Sequence, residues 1–137
     1  MKNISFYVYL ICLFFFSSFL KADINLSIKD LLKKEKLEDG STQIYLLNRC
    51  SATYTYASAI ILKTDAINSK KFIDIANSLL LKSIELRIID NNEKLEVATR
   101  KAEIERENLF KNYIKDGKKN WDKNKSYFKG SYISDDM

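Results

Sequence analysis

The sequence predicts an all-α protein, a three-helix antiparallel bundle with a short leading helix, preceded by a hydrophobic signal helix. Proline is absent and glycine occurs only three times in the 137 residues. A β-sandwich or barrel needs turn residues about every 8 to 12 positions, and this chain lacks them. Apolar residues also recur at steps of three and four in three long segments, which is the spacing of a buried helix face. Antiparallel helices joined by tight connections account for both observations.

The first 22 residues have the layout of an export signal. Lys2 provides a positive start, residues 4–20 carry no charge, and Ala22 stands at a small-residue exit. We therefore predict that residues 1–22 are a signal peptide and that residues 23–137 form a single helical domain. One alternative stays open, because residues 4–20 lie at the lower edge of the ~17 to 25 residues that span a bilayer. In that case the helix is not cleaved and anchors the protein in the inner membrane.

The segment from residue 24 to 37 contains the expected leading helix. Ser27 is its predicted N-cap, since a serine hydroxyl accepts a backbone N–H at a helix start. The apolar residues of this segment share one face: Ile24, Ile28, Leu31 and Leu32.

The first long helix is expected to begin near Ser41, whose hydroxyl can accept a backbone N–H at the helix start, and to end at about Leu62. Its main apolar stripe consists of Ile44, Leu47, Tyr54 and Ile61. Small residues are concentrated in its middle: Ser51, Ala52, Ala57, Ser58 and Ala59. Because small side chains allow close approach, we expect a neighbouring helix to pack tightly against this region.

The second long helix is expected from about Ser69 to Ile89, capped by Asn68 or Ser69 and ended by the polar residues 90–92. Its buried face is predicted from the three- and four-residue steps between Phe72, Ile75, Ala76, Leu79, Leu80, Ser83 and Leu86.

The third long helix is expected to open at Asn92. Glu93 and Glu96 then fall in its first turn, where negative charge complements the helix dipole. Its apolar seam is narrow, as in a contact within a bundle, and consists of Leu95, Ala98, Ala102, Leu109 and Tyr113.

Several kinds of chemistry are excluded by composition. Histidine is absent, which rules out histidine acid–base catalysis, Ser-His-Asp triads, Cys-His dyads and most zinc sites. The three glycines are too far apart for a phosphate-binding loop. Glu103 and Glu107 lie one helical turn apart, but basic neighbours favour ordinary ion pairs there: Glu96–Arg100 and Glu107–Lys111. We therefore predict no catalytic residues, no metal site and no cofactor.

Cys50 is the only cysteine after the predicted signal, and an isolated thiol is unusual in an oxidising compartment. It is interpreted in three ways. In the first interpretation it is a small buried apolar residue. In the second it is half of a disulfide whose partner lies elsewhere. In the third it is a reactive nucleophile. The last interpretation requires a neighbour that lowers the thiol pKa, and only Arg49 is close in sequence.

The segment Asn48-Arg49-Cys50 through Tyr54-Thr55-Tyr56-Ala57, between an export signal and two further helices, resembles small uncharacterised secreted helical proteins of marine bacteria and their viruses. The resemblance implies no activity. It does imply a second cysteine shortly after the acidic carboxyl-terminal residues, as a partner for Cys50. The sequence stops at Met137 without that cysteine, which we interpret as either a truncated reading or a genuine loss of the bridge.

Residues 111–130 form the best candidate contact surface. Seven lysines stand there against two aspartates, with aromatic residues between them. We call the following set the lysine–aromatic surface: Lys111, Lys115, Lys118, Lys119, Trp121, Lys123, Lys125, Tyr127, Phe128 and Lys129. Similar patterns occur in single-strand nucleic-acid grooves and in helices on anionic membranes. The alternative is a packed helix end with solvated lysines, because Phe110, Ile114, Gly117 and Trp121 share one face.

These observations predict an exported small helical binding or structural module of the cell envelope, periplasmic or secreted, and not an enzyme. The alternative is a membrane-attached protein, held by the amino-terminal helix or by the lysine–aromatic surface. An enzyme that uses carboxylates or Cys50 is the least favoured hypothesis. The expected partner is a protein or an anionic membrane surface, since export argues against nucleic acid. The oligomeric state stays open.

Overall fold

The computed structural model describes residues 26–137, and within that range every regular element is a helix. The five helices are α1 (Ile28–Lys34), α2 (Gly40–Ile61), α3 (Ala66–Asn91), α4 (Leu95–Asn124) and α5 (Ile133–Asp136). The all-α prediction is confirmed for this range. No helix within it is long and apolar enough to cross a membrane. The predicted signal peptide or anchor lies outside the described residues.

Successive long helices run in opposite directions. Ser51 and Ser58 of α2 bond to Ala76 and Ser69 of α3, so the contacts move backwards along α3 as α2 advances. Helix α4 then returns parallel to α2. Its register is set by three contacts in the same order on both helices: Asn48 with Glu105, Thr53 with Tyr113, and Tyr56 beside Gly117.

The starts of α2 and α3 are set by aspartates rather than by the predicted serine and asparagine caps. Ser27 does cap α1 as predicted, accepting the Asp30 N–H at 3.1 Å. For α2, Asp39 takes the place of Ser41 and accepts the Thr42 N–H at 2.9 Å. For α3, Asp65 accepts the Asn68 N–H at 3.0 Å. Both helices therefore begin earlier than predicted, because an aspartate upstream is an equally strong cap.

Helix α4 begins at Leu95, three residues later than predicted. Asn92 ends α3 in the left-handed region, with φ of 52°. Asparagine tolerates this conformation better than most residues. Glu93 is consequently outside the helix and forms an ion pair with Lys101 at 2.8 Å. Only Glu96 remains in the first turn of α4.

The small residues of α2 do permit the predicted close packing. The Ser51 hydroxyl reaches the Ala76 carbonyl of α3 at 2.7 Å, and the Ser58 hydroxyl reaches that of Ser69 at 2.9 Å.

Two buried clusters make up the core. One comprises Ala52, Tyr56, Leu109, Tyr113 and Ile133, and the other Leu80, Ile84, Ala98 and Ala102.

The predicted buried faces need several corrections. Ile75 is 40% exposed, although it belongs to the predicted buried face, and Leu95 of the predicted apolar seam is 67% exposed. Leu32 of α1 is also exposed. Six further residues of the predicted faces of the long helices are only half-buried: Leu47, Tyr54, Ile61, Phe72, Leu79 and Leu86. Helix α3 carries apolar residues all around, so periodicity alone leaves its buried face ambiguous.

The carboxyl-terminal segment contains a helix that the sequence pattern did not predict. Lys125 takes a left-handed conformation, with φ of 53°, and ends α4. The chain then reverses, and the short α5 follows. Ile133 at the start of α5 is fully buried against the cluster around Tyr56 and Tyr113. This reversal brings the carboxyl-terminal residues onto the centre of α2.

Candidate functional site

The seven lysines of the lysine–aromatic surface are all exposed. Lys111, Lys115 and Lys118 follow one another at steps of four and three, so they share a face of α4. The opposite face of the same helix is buried through Tyr113 and Gly117. Helix geometry therefore presents the lysines away from the core.

Ion pairs account for two of these seven lysines. Lys111 pairs with Glu107 at 2.6 Å, as predicted, and Lys119 pairs with Asp116 at 2.7 Å. For the other five, residues 26–137 offer no acidic partner within 4 Å. Most of the positive charge of this surface is consequently not neutralised within the described domain.

The aromatic members of the surface divide into two environments. Trp121 is 42% exposed and stacks on Tyr127, with ring centroids 4.7 Å apart. Tyr127 and Phe128 are half-buried and pack against the core, where the rings of Phe128 and Tyr56 form a T-shaped pair. On the face that the packed alternative predicts, Gly117 is buried and Phe110 and Ile114 are half-buried against the core, whereas Trp121 is exposed.

Cys50 is half-buried in an open groove between α2 and α3, and residues 26–137 contain no second cysteine. The groove is lined by Gln43, Leu46, Leu47, Lys82 and Leu86. Burial raises the pKa of the Cys50 thiol, and the charge of Asp136 adds to this effect, while Arg49 opposes it. The thiol is therefore protonated at neutral pH, which is unfavourable for a nucleophile.

Arg49 is fully buried, and its charge is engaged by the carboxyl-terminal segment. Its Nη2 and Nε atoms donate to Asp136 Oδ2 at 2.7 and 3.0 Å. Nη2 also donates to the Leu26 carbonyl, ahead of α1. The arginine thus binds both ends of the described chain and is not a free cation beside Cys50.

Asp136 completes the network from the other side. Its Oδ2 accepts the Tyr113 hydroxyl at 2.6 Å, and its Oδ1 accepts the Ile28 N–H at 2.7 Å. The Tyr113 hydroxyl in turn accepts from Thr53 at 2.9 Å. Because the side chains of Arg49 and Asp136 have no exposed surface, the cluster is closed to a substrate.

Sequence reasoning missed this network. Arg49 was considered only as a neighbour of Cys50, and the two carboxyl-terminal aspartates only as part of an acidic stretch. A signal did exist, because Arg49 lies immediately before the small residues of α2 that predict close packing. A cation in such a region requires an internal counter-ion.

A second polar cluster joins all three long helices. Glu105 of α4 accepts from Asn48 of α2 at 2.5 Å and forms an ion pair with Arg87 of α3. Asn48 is fully buried and Arg87 largely so. This cluster fixes the register of α4 against its two neighbours.

Within residues 26–137, no group of three or more Cys, Asp or Glu side chains is arranged to hold a metal ion. Glu107, one of the two carboxylates that were weighed as ligands, is bonded to Lys111, which lowers the pKa of the carboxyl group.

No protein-family model, no curated protein and no solved structure matches this chain. The resemblance to small secreted helical proteins is therefore neither supported nor contradicted by these comparisons.

Proposed function

We propose that this protein is an exported helical binding module of the cell envelope, and that its lysine–aromatic surface binds an anionic partner. One observation carries the proposal. Five exposed lysines in and after the last part of α4 have no acidic partner within the described residues. An excess of positive charge concentrated in one segment attracts and orients a partner of the opposite sign.

Export is the part of the proposal that rests on residues 1–22. Their composition supports removal of a signal peptide, and an uncleaved anchor remains the alternative. Mass spectrometry of the protein recovered from the envelope distinguishes the two. A mature amino terminus near Asp23 supports cleavage, whereas an intact Met1 or Lys2 contradicts it and identifies an anchor.

The lysine–aromatic surface is tested with a charge-reversal pair and a matched control. Lys115→Glu with Lys118→Glu reverses two unpaired lysines of the surface. Lys34→Glu with Lys36→Glu makes the same change of net charge at exposed positions near the end of α1. The full chain, kept soluble in a neutral detergent, is bound to poly-L-glutamate immobilised on a biosensor.

We expect the first double variant to lose affinity about tenfold or more at low salt, since each lysine near an anionic surface contributes ~1 kcal/mol. The control should lose less than about threefold, and both effects should shrink as salt rises. Equal losses in the two variants would mean that only net charge matters, and this result would overturn the proposal.

A further inference from the structure

We infer that the anionic partner is a membrane, and that the domain stands on it by one end. This inference rests on the proposed function and names the partner of the same surface. The end in question, here called the distal end, consists of residues 59–73 around the α2–α3 turn and residues 118–129 after the middle of α4. Three observations support this end: the register that places the two segments side by side, their exposed apolar side chains and their lysines.

Register places these two segments side by side. Helices α2 and α4 are parallel, so their carboxyl-terminal halves lie at the same end of the bundle. The Tyr56 hydroxyl donates to the Tyr127 carbonyl at 2.9 Å. Tyr56 also lies beside Gly117, so Ile60 and Trp121, each one turn further along its own helix, are at the same level. Trp121, stacked on Tyr127, is therefore at the level of the α2–α3 turn.

Large apolar side chains protrude at the distal end. Ile67 is 73% exposed and Leu62 is 57% exposed, and Trp121 is the third such residue. Beside them, a shallow depression between α2 and α3 is lined mainly by apolar atoms, from residues that include Ala66 and Ile73. Transfer of such exposed apolar side chains from water into an apolar layer is favourable.

Lysines surround these apolar side chains. Lys63, Lys70 and Lys71 are exposed near the turn, in addition to the lysines of α4. The opposite end of the bundle also exposes Ile89 and Leu95, but acidic residues predominate around them: Glu38, Asp39, Asp90, Glu93 and Glu96. Exposed Leu32 and Leu37 also lie among lysines in residues 28–39, but the four lysines of that segment are balanced by four acidic residues. At the distal end eight lysines stand against two aspartates, so the excess of positive charge beside exposed apolar residues is largest there.

A membrane fits this combination better than a protein does. Lysine is depleted in protein–protein interfaces. At the surface of an anionic bilayer, lysines bind headgroups while Trp, Leu and Ile enter the boundary with the acyl chains. The stacked pair of Trp121 and Tyr127 has the amphipathic character of residues found at membrane interfaces.

The experiment uses Trp121 as its reporter, because it is the only tryptophan of the chain. The full chain is incorporated into vesicles of phosphatidylcholine, with or without phosphatidylglycerol. With the anionic lipid, we expect Trp121 emission to shift to shorter wavelength and to be quenched by brominated acyl chains. Neutral vesicles should leave the emission unchanged, whether or not residues 4–20 anchor the protein.

Two matched double variants test which end docks. Leu62→Gln with Ile67→Gln should reduce the quenching of Trp121 about fivefold or more. Ile89→Gln with Leu95→Gln removes similarly exposed apolar groups at the opposite end and should change it less than about twofold. Equal effects of the two double variants would overturn the end-on orientation.

The failures of the two proposals are distinguishable. Binding to poly-L-glutamate without any response of Trp121 to phosphatidylglycerol overturns the membrane as partner and leaves an acidic protein. Absence of binding in both experiments overturns the proposed function as well.

Discussion

Arg49 Nη2 lies 2.7 Å from Asp136 Oδ2, although 87 residues separate the two in sequence and neither side chain has exposed surface. The same aspartate accepts the backbone N–H of Ile28, and the same arginine donates to the Leu26 carbonyl. One buried ion pair therefore fixes the beginning and the end of the described chain to the middle of α2. The short helices α1 and α5 meet because of it.

Removal of one partner of this pair is expected to be severely destabilising. Asp136→Asn or Arg49→Met leaves a charged or polar group without its counter-ion in the core, which costs about 3 to 5 kcal/mol. Urea unfolding followed by circular dichroism measures the loss. Lys82→Met is the control, because it breaks an exposed ion pair with Glu85 and should cost about 1 kcal/mol or less. Equal losses in the control and the core variants would contradict the argument.

The helices and their order were predictable because they depend on local signals. The scarcity of Gly and Pro, the spacing of apolar residues and the small residues of α2 were sufficient for three long helices and one close contact. The exact starts were not, since Asp39 and Asp65 compete with neighbouring serines and asparagine for the same capping bonds. For α2 and α3 the sequence offers several caps and the fold uses the earlier one, whereas α4 has no side-chain cap.

The buried arginine and helix α5 were not predictable from periodicity. Four residues, Ile133–Asp136, are too few to show a helical pattern. The burial of Arg49 depends on a carboxylate that approaches only after the chain reverses at Lys125. The exposure of Lys111, Lys115 and Lys118, by contrast, follows from their spacing along α4, opposite its buried residues.

The buried face of α3 can be tested at two adjacent leucines. Leu80 is 7% exposed and belongs to a core cluster, whereas Leu79 is half-buried. We expect Leu80→Ala to cost about 2 to 5 kcal/mol, and Leu79→Ala clearly less. Denaturant melts of both variants provide the measurement. A larger loss at Leu79 would place the wrong face of α3 in the core.

Gly117 of α4 allows α2 and α4 to approach each other closely at the point where the Tyr56 side chain lies between them. A Cβ atom at this position would overlap the Tyr56 hydroxyl and lie 2.8 Å from Cζ of its ring. Tyr56 is fully buried and bonded to the Tyr127 carbonyl, so it has little freedom to move. Overpacking costs ~1 to 3 kcal/mol, while alanine gains ~1 kcal/mol over glycine in helix propensity. Net destabilisation of Gly117→Ala by up to about 2 kcal/mol is expected in urea.

Gly40→Ala is a suitable control for that substitution. There the new Cβ would meet only Asp90 Oδ2, at 2.9 Å, which is the end of a flexible exposed side chain. Its stability should stay within about 0.5 kcal/mol of the parent.

In addition, Tyr56→Phe should relieve part of the strain of Gly117→Ala, since it removes the overlapping hydroxyl. Additive losses in that double variant would argue against the clash.

The buried tyrosines predict unfolding at alkaline pH. Burial raises the pKa of Tyr56 to about 12, and it also raises the pKa of Tyr113 above its ordinary value. In the unfolded chain these phenols ionise near pH 10. A group whose folded pKa is the higher one stabilises the fold fully below its unfolded pKa and progressively loses that contribution as pH rises through the folded value. Stability should therefore fall between about pH 10 and 12.

Tyrosinate absorbance and circular dichroism, followed together from pH 8 upwards, test this expectation. The last tyrosines should ionise in the same pH range in which the helical signal disappears, and a return to pH 8 should restore it. Tyr56→Phe removes one titrating phenol. The free energy of unfolding should therefore fall less steeply with pH, because unfolding of this variant releases up to one proton fewer. Ionisation of all eight tyrosines near pH 10 with the helical signal intact would show that Tyr56 and Tyr113 are not buried as described.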